Sequence, residues 1–461
     1  LVSRLLSHLC IIALLIVYPS VGISAETAAK KLTLANCIDI ALSNATSAKK
    51  AQYNLKLQGS DVLRSYGSFL PRLSASSSYS PYSLNRSYTQ YNPAVTKIKT
   101  ESKSVDLTLT TSLNLFNGFR DYAALQSALK TERAAQYTLA RALQLVVFDV
   151  TQAYYQVLLD TELLDISREN LLAAKDQLTL TDRQYQIGLK SMIDLYQQQA
   201  DAAESGLSAI KAETRMQRSM LELLRRLQID PMTRITLEPA ADELKLPLFS
   251  KPDIDSLAAL ALERRSDLKS KELETGAAKW QITGARSSWY PSIDLNAAVI
   301  TGGTDYLRQT VSGVTSEYSY PPLADQLGNS IGYSVSLSLS WAIFDGFQTR
   351  YNVEAARINH LNQRLDYDDL KNNIVIDLRQ VSGEYASAFT QIETARVSLK
   401  AAKSAYDGIR RKYELGAAGF VELSTARAAL FNARSSLSQA TYNLALQKSV
   451  LDFTTGSTTL P

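Results

Sequence analysis

Cysteine and histidine, the side chains that most readily supply nucleophiles and metal ligands near neutral pH, are almost missing: 461 residues hold only Cys10, Cys37, His8 and His360. Cys10 and His8 fall in a stretch that reads as a secretory signal. Arg4 precedes an apolar run from Leu9 to Tyr18, and Pro19 and small residues lead to Ser24-Ala25, so residues 1–25 are expected to be removed. The chain then keeps Cys37 and His360, which excludes an internal disulfide and makes a His or Cys metal site improbable. Leu34-Ala35-Asn36-Cys37 loosely resembles a lipid-attachment motif. Asn36 suits that motif poorly and Lys30-Lys31 separate it from the apolar run, so Cys37 reads as a small buried hydrophobe. His360 stands in a helical run without a serine or cysteine nucleophile at a recognisable spacing. No catalytic residue, metal or cofactor is expected. Lysine and arginine number 49 against 45 acids, or 48 against 45 once Arg4 leaves, a balance that gives no footprint for nucleic acid.

The remaining chemistry belongs to carboxylates, and two of them occupy one position of a repeated pattern. Asp194 and Glu422 are 228 residues apart. Arg183-x-Tyr185-x-x-Gly188 returns as Arg411-x-Tyr413-x-x-Gly416, and Phe116-Asn117-Gly118-Phe119 as Phe344-Asp345-Gly346-Phe347, each with the same 228 offset (344 minus 116). Phe69-Leu70-Pro71 matches Trp289-Tyr290-Pro291 at 220, so the second copy has eight extra residues, placed where a loop would be. Ser191-x-x-Asp194 resembles a capping box, and an acid in a first helical turn suits the helix dipole.

Each copy changes period partway along. Val105, Leu107, Leu109, Leu113 and Leu115 alternate with polar residues, as do Ile331, Tyr333, Val335, Leu337, Leu339, Trp341 and Ile343; Leu73 to Tyr79 and Ile293 to Val299 alternate too. Such a dyad suits a strand with lipid on one side and a polar lumen on the other, and an ordinary half-buried sheet would give it as well. The aromatics favour the first reading. Phe69, Phe116, Phe119, Trp289, Tyr290, Phe344 and Phe347 sit where strand meets helix; Tyr79, Tyr82, Tyr88, Tyr91, Tyr306, Tyr318 and Tyr320 crowd the other end. That is the two-girdle pattern of a membrane barrel. Asn117-Gly118 and Asp345-Gly346 read as turns from strand to helix, and Pro71 and Pro291 as stops for the incoming helices.

The helical parts are long, since no proline lies between Pro93 and Pro231 or between Pro322 and Pro461. Leu143, Val150, Val157, Leu164, Leu171, Leu178 and Tyr185 recur every seven residues, as do Leu378, Tyr385, Ile392, Leu399, Tyr406 and Tyr413. A strict heptad implies a left-handed supercoil. Beside the second row run Val381, Ala388, Ala395, Ala402 and Ile409, mostly small, which allows close helix approach. A helix from Asp121 to Ile187 spans about 100 Å. Past the first twenty-odd residues no apolar run is long enough for a membrane helix, so any crossing is by strands.

Together these motifs resemble the TolC family of outer-membrane channel proteins, over nearly the whole chain after the signal. The resemblance implies a mainly α fold with membrane β: a trimer whose protomers each give four strands to a twelve-stranded outer-membrane β-barrel, continuous with a long periplasmic α-helical barrel and built from an internal tandem repeat. The repeats would be 26–228, with a strand pair at about 71–116, and 253–461, with one at about 291–343. Between them 229–252, with Pro231, Pro239, Pro247 and Pro252, would be an equatorial linker. The implied function is a passive, non-enzymatic exit duct of a tripartite efflux or type I secretion system, working as a homotrimer in outer-membrane lipid with a periplasmic adaptor (membrane fusion) protein and an inner-membrane pump or ABC transporter.

The resemblance also assigns sites. Ile187-Gly188-Leu189 and Leu415-Gly416-Ala417 match turns that receive the adaptor, although both glycines also read simply as helix ends. The position of Asp194 bonds a tyrosine matching Tyr413 to hold the entrance shut, and that of Glu422 gives a ring of carboxylates; gate and cap remain equally open for Asp194. A second closing link falls on Ala418 and Ile193, and a second acidic ring on Thr425, which implies an entrance less tightly latched. The competing reading is a trimeric coiled-coil fibre or adhesin. It expects one membrane anchor near a chain end, whereas two strand pairs sit at matching interior places.

Overall fold

The computed structural model describes residues 30–91, 94–238 and 253–458. The expected signal peptide, Pro93, and the linker prolines Pro239, Pro247 and Pro252 lie outside the described residues. In chain order the elements are β1 (Lys30–Leu32), α1 (Leu34–Asn44), α2 (Thr46–Gly67), β2 (Arg72–Tyr91), β3 (Ala94–Asn117), α3 (Arg120–Gln186), α4 (Met192–Leu227) and β4 (Ile235–Leu237). Then follow α5 (Ile254–Arg264), α6 (Ser266–Arg286), β5 (Ser292–Val311), β6 (Val314–Ser316), α7 (Leu323–Asn329), β7 (Gly332–Ser340), α8 (Gln348–Glu414) and α9 (Phe420–Thr454). The starts of α1, α2 and β2 return 220 residues later as α5, α6 and β5, and those of α3 and α4 return 228 later as α8 and α9 (254 minus 34; 348 minus 120).

The turn that launches each long helix is the same in both halves. Gly118 and Phe119 have φ of 66° and 67°, Gly346 and Phe347 of 64° and 67°. Asn117 Oδ1 accepts from the Asp121 N–H at 3.3 Å, and Asp345 Oδ2 from the Thr349 N–H at 2.7 Å, satisfying donors a helix start would leave open. Two consecutive left-handed residues fold the chain back sharply, and glycine takes the first without strain. Phe116 and Phe119 meet edge-to-face at 5.5 Å, as do Phe344 and Phe347.

The long helices α3 and α8 have 67 residues each, about 100 Å at the α-helical rise. The heptad row buries Val150, Val157 and Leu164 on α3 and Leu378 and Ile392 on α8, with the small row Val381, Ala388 and Ala395 beside the latter. Helices α4 and α9 pack against α3 and α8, while α2 and α6 flank their sheet-proximal parts. The largest apolar cluster lies midway, where Leu32, Cys37, Val150, Tyr154, Val157, Leu223 and Leu227 pack together. The described start of the linker is structured: β4 pairs in parallel with β1, and the Tyr154 hydroxyl donates to the Glu238 carbonyl at 2.5 Å.

The main sheet runs β2-β3-β5-β7, all antiparallel. Register places Leu73, Ala75, Tyr79, Val105, Leu107, Leu109, Leu295, Val299, Tyr333, Val335 and Leu337 on one face. The other carries hydroxyls, amides and two acids, joined as Ser74 to Thr110 (2.6 Å), Ser78 to Asp106 (3.2 Å) and Asn114 to Asp294 (2.7 Å). The last strand is shorter than the alternation Ile331 to Ile343 predicts: β7 stops at Ser340, and the Trp341 indole turns to donate to the Trp289 carbonyl at 3.2 Å. The eight-residue insertion is not mere loop. There β6 and α7 cover the stretch of β5 that β7 does not reach, with the Thr304 N–H donating to Gln326 Oε1 at 3.0 Å and Thr301 Oγ1 to the Leu327 carbonyl at 2.6 Å. Among the described residues the outer edges of β2 and β7 have no strand partner.

Candidate functional site

Far from the sheet, each hairpin of long helices ends in the same turn. Gly188 N–H donates to the Tyr185 carbonyl (2.9 Å) and Leu189 N–H to that of Gln184 (2.7 Å); Gly416 and Ala417 repeat this with Tyr413 (3.0 Å) and Lys412 (2.7 Å). With φ of 75° and 72°, both glycines complete a Schellman motif. Neither has an atom where a Cβ would stand, so the glycine is needed for backbone conformation and not for space. The tips expose apolar side chains that a helix terminus does not require. Ile187, Leu189, Ile193, Leu415 and Val421 are all exposed, Leu415 to 84%.

The helix that returns from each tip is capped differently. Ser191 Oγ accepts from the Asp194 N–H at 3.1 Å, and Asp194 Oδ2 accepts from the Ser191 N–H (3.0 Å) and hydroxyl (2.8 Å), a complete capping box. These bonds hold the Asp194 carboxyl below its usual range. In the second copy Gly419 replaces the serine, so α9 has no side-chain cap, and Glu422 stands exposed in its first turn. Equivalent acids thus do different work: one is committed to its helix, the other is free.

Tyr413 lies beside the first hairpin's turn. Its hydroxyl accepts from Gln177 Nε2 at 3.3 Å, and Lys190 Nζ stands 4.9 Å from the centre of its ring. No hydrogen bond joins Tyr413 to Asp194 within the chain: the Asp194 bonds go to Ser191 through Oδ2, and among the described residues Oδ1 makes none. Sequence reading missed the strongest tie between the hairpins. Arg427 of α9, 6% exposed, pairs with Asp201 of α4, which also accepts from Ser424 Oγ at 3.3 Å. Farther along, Arg434 pairs with Glu169, and Ser438 Oγ donates to Glu162 at 2.7 Å. The signal was weak: Arg427 and Asp201 each lie on an ordinary-looking helix face, and their repeat equivalents are Gln199 and Ala429. Another departure from the repeat is inside α4, where Gln198 is buried with both amide atoms lacking a protein partner while its counterpart Ala426 buries a methyl.

Aromatic side chains gather where strand meets helix, with Phe69 exposed after α2. Trp289, Tyr290, Phe344, Phe347 and Phe119 are exposed and Phe116 is half-buried at the sheet end of α3, α6 and α8. Among the described residues no cluster of His, Cys, Asp or Glu could hold a metal, and no helix is long and apolar enough to cross a membrane.

The outer membrane efflux protein family matches residues 37–227 and 257–457, one stretch on either side of the linker. The chain is 24% identical over 410 residues to the protein CyaE of Bordetella pertussis, covering 87% of this chain and 79% of that one. It is 22% identical over 341 residues to the outer membrane protein TolC of Escherichia coli, covering 72% and 66%. Of solved structures, the CmeC outer membrane channel of Campylobacter jejuni superposes with a TM-score of 0.78 at 17% identity, over 92% of this chain and 85% of that one. The outer membrane protein VceC of Vibrio cholerae does so at 0.75 and 16%, over 92% and 96%. With two family matches that together span most of its length and bracket its linker, the chain belongs to the outer membrane efflux protein family.

Proposed function

We propose that the protein is a homotrimeric exit duct of a tripartite efflux or type I secretion system, set in the outer membrane and reaching into the periplasm. One observation carries this reading: a sheet with one apolar and one hydroxyl-lined face keeps, among the described residues, two unpaired edges at the end of two helices about 100 Å long. Unpaired edges cannot stand in lipid, where each open peptide group costs several kcal/mol, so β7 must pair with β2 of the next copy. The repeat says how. Within one chain β3 pairs with β5 and α3 packs on α6; the related contacts, β7 on β2 and α8 on α2, need a neighbour. Three copies of four strands make a twelve-stranded barrel.

The duct works passively and does no covalent chemistry. Energy and choice of substrate come from an inner-membrane pump or ABC transporter, joined through a periplasmic adaptor that seats its own helices on the apolar tips around Ile187-Gly188-Leu189 and Leu415-Gly416-Ala417. The tips also form the gate. Tyr413 holds the hairpins together in the closed state through Gln177 and the open Oδ1 of Asp194, a bond to a carboxylate being worth about 1.5 to 3 kcal/mol. Glu422, uncapped and exposed, gives the entrance its ring of negative charge.

Electron microscopy of the full chain purified in detergent tests the duct. A hollow three-fold tube with a stalk of about 100 Å is expected. A solid stalk would instead indicate a fibre and end the channel reading.

A further inference from the structure

Strands β2, β3 and β5 have 20, 24 and 20 residues, about twice what a tilted strand needs to cross a bilayer. The unbroken outward alternation of apolar residues gives way at Tyr79, Val105 and Gly303, which lie side by side, and past them Leu84 and Tyr88 stand among charged neighbours. Beyond that line, these three strands carry seven charged residues: Arg86, Lys97, Lys99, Glu101, Lys103, Asp305 and Arg308.

All seven face outward. Extra residues in β2 and β5 absorb the register shifts, so β3 keeps its alternation, and Lys97, Lys99, Glu101 and Lys103 continue the row of Val105, Leu107 and Leu109. Arg86 is opposite Lys99, Asp305 opposite Lys103, and Arg308 opposite Glu101. The inward face at this height holds Asn85, Ile98, Thr100, Ser102, Ser104 and Tyr306, none of them charged. A rim with water on both sides has no reason to sort its charges in this way.

Lys99 pairs with Glu101 at 2.6 Å and Lys103 with Asp305 at 2.8 Å, while Arg308 reaches Glu317 only at 3.9 Å. Among the described residues Arg86 and Lys97 have no acidic partner, and the seven sum to an excess of three positive charges. From Lys97 to Lys103 the row runs about 20 Å along the strand. That is deeper than a single layer of phosphodiester headgroups and suits an extended phosphorylated saccharide.

We propose that this outward face is a binding surface for a phosphorylated glycolipid of the outer leaflet, with Arg86, Lys97 and Arg308 gripping its phosphates. The proposal rests on the outer-membrane orientation given above. To test it, the full chain purified in detergent is loaded with lipid A, washed, and assayed for bound phosphate, against dephosphorylated lipid A and against phosphatidylglycerol. Retention of lipid A alone is expected, and R86Q/K97Q/R308Q should weaken it about a hundredfold, since each basic group adds to the attraction for an anionic membrane surface. Equal retention of dephosphorylated lipid A or of phosphatidylglycerol overturns the proposal, as does unchanged retention by an assembled variant. If the variant does not assemble, the three lipids on the unaltered chain still decide. Bilayer conductance of the same preparation reports separately whether the duct itself is sound.

Discussion

At the scale of single residues, the two carboxylates that the repeat makes equivalent are not equivalent in use. Ser191 lets Asp194 close a capping box, and Gly419 leaves Glu422 without one. The gate proposed at the tips would therefore depend on groups other than a symmetric pair. Tyr413 offers one hydroxyl to the opposite hairpin, whereas Asp201 and Arg427 form an ion pair between α4 and α9 whose arginine is buried and whose acid is partly exposed. Removing the acid leaves the buried Arg427 charge without its partner; a fully buried pair broken this way costs about 3 to 5 kcal/mol, and the partial exposure of Asp201 brings the cost below that range but still above the loss of one neutral hydrogen bond. Single-channel recording ranks them. Tyr413→Phe should raise the conductance of the resting state modestly, and Asp201→Asn should raise it more, with greater leakage of large antibiotics into the cell. Unchanged conductance in Tyr413→Phe would remove that residue from the gate, and a silent Asp201→Asn would make the ion pair a packing feature only.

At the scale of elements, the strand-to-helix turns join local conformation to assembly. Gly118 and Gly346 share a left-handed backbone, where a side chain costs about 1–2 kcal/mol. Their surroundings differ: a Cβ on Gly118 would stand 2.4 Å from the Ser287 carbonyl oxygen, and one on Gly346 meets nothing among the described residues. Ser287 starts the turn after α6, and its repeat counterpart is Gly67 at the end of α2, which a neighbouring copy would present to Gly346. Gly118→Ala should thus hinder folding of the protomer itself. Gly346→Ala should act on assembly, giving folded chain by circular dichroism but fewer heat-resistant trimers on a gel. If the two variants fail at the same stage, the repeat-related packing across copies is wrong.

For the whole molecule, a single chain leaves much apolar surface uncovered. Tyr53, Leu57 and Leu63 on α2 and Tyr351, Ile358, Leu361 and Leu365 on α8 are exposed along the flanks that α3 and α6 cover on their own sides. Exposed rows of this extent mark an interface. An acid in the middle of one, Leu361→Asp, should shift the protein in detergent from trimer toward monomer, read by light scattering, without loss of helix by circular dichroism. A trimer as stable as before would place the interface elsewhere.

The sequence by itself determined what depends on local rules. Period and punctuation located the strand pairs and long helices, because alternation follows the pleat, heptads follow the helix seam, and Phe-x-Gly-Phe and Tyr-x-x-Gly fix turns within a few residues. Only the tertiary structure decided what depends on residues far apart. It made β4 a strand through its pairing with β1, ended β7 early at Trp341, and built α7 over an open stretch of β5. It also joined Arg427 to Asp201, 226 residues apart, and set Tyr413 beside Gln177 and Lys190. Periodicity records which face of an element is buried; which side chain meets it there is set by how the elements are laid against one another.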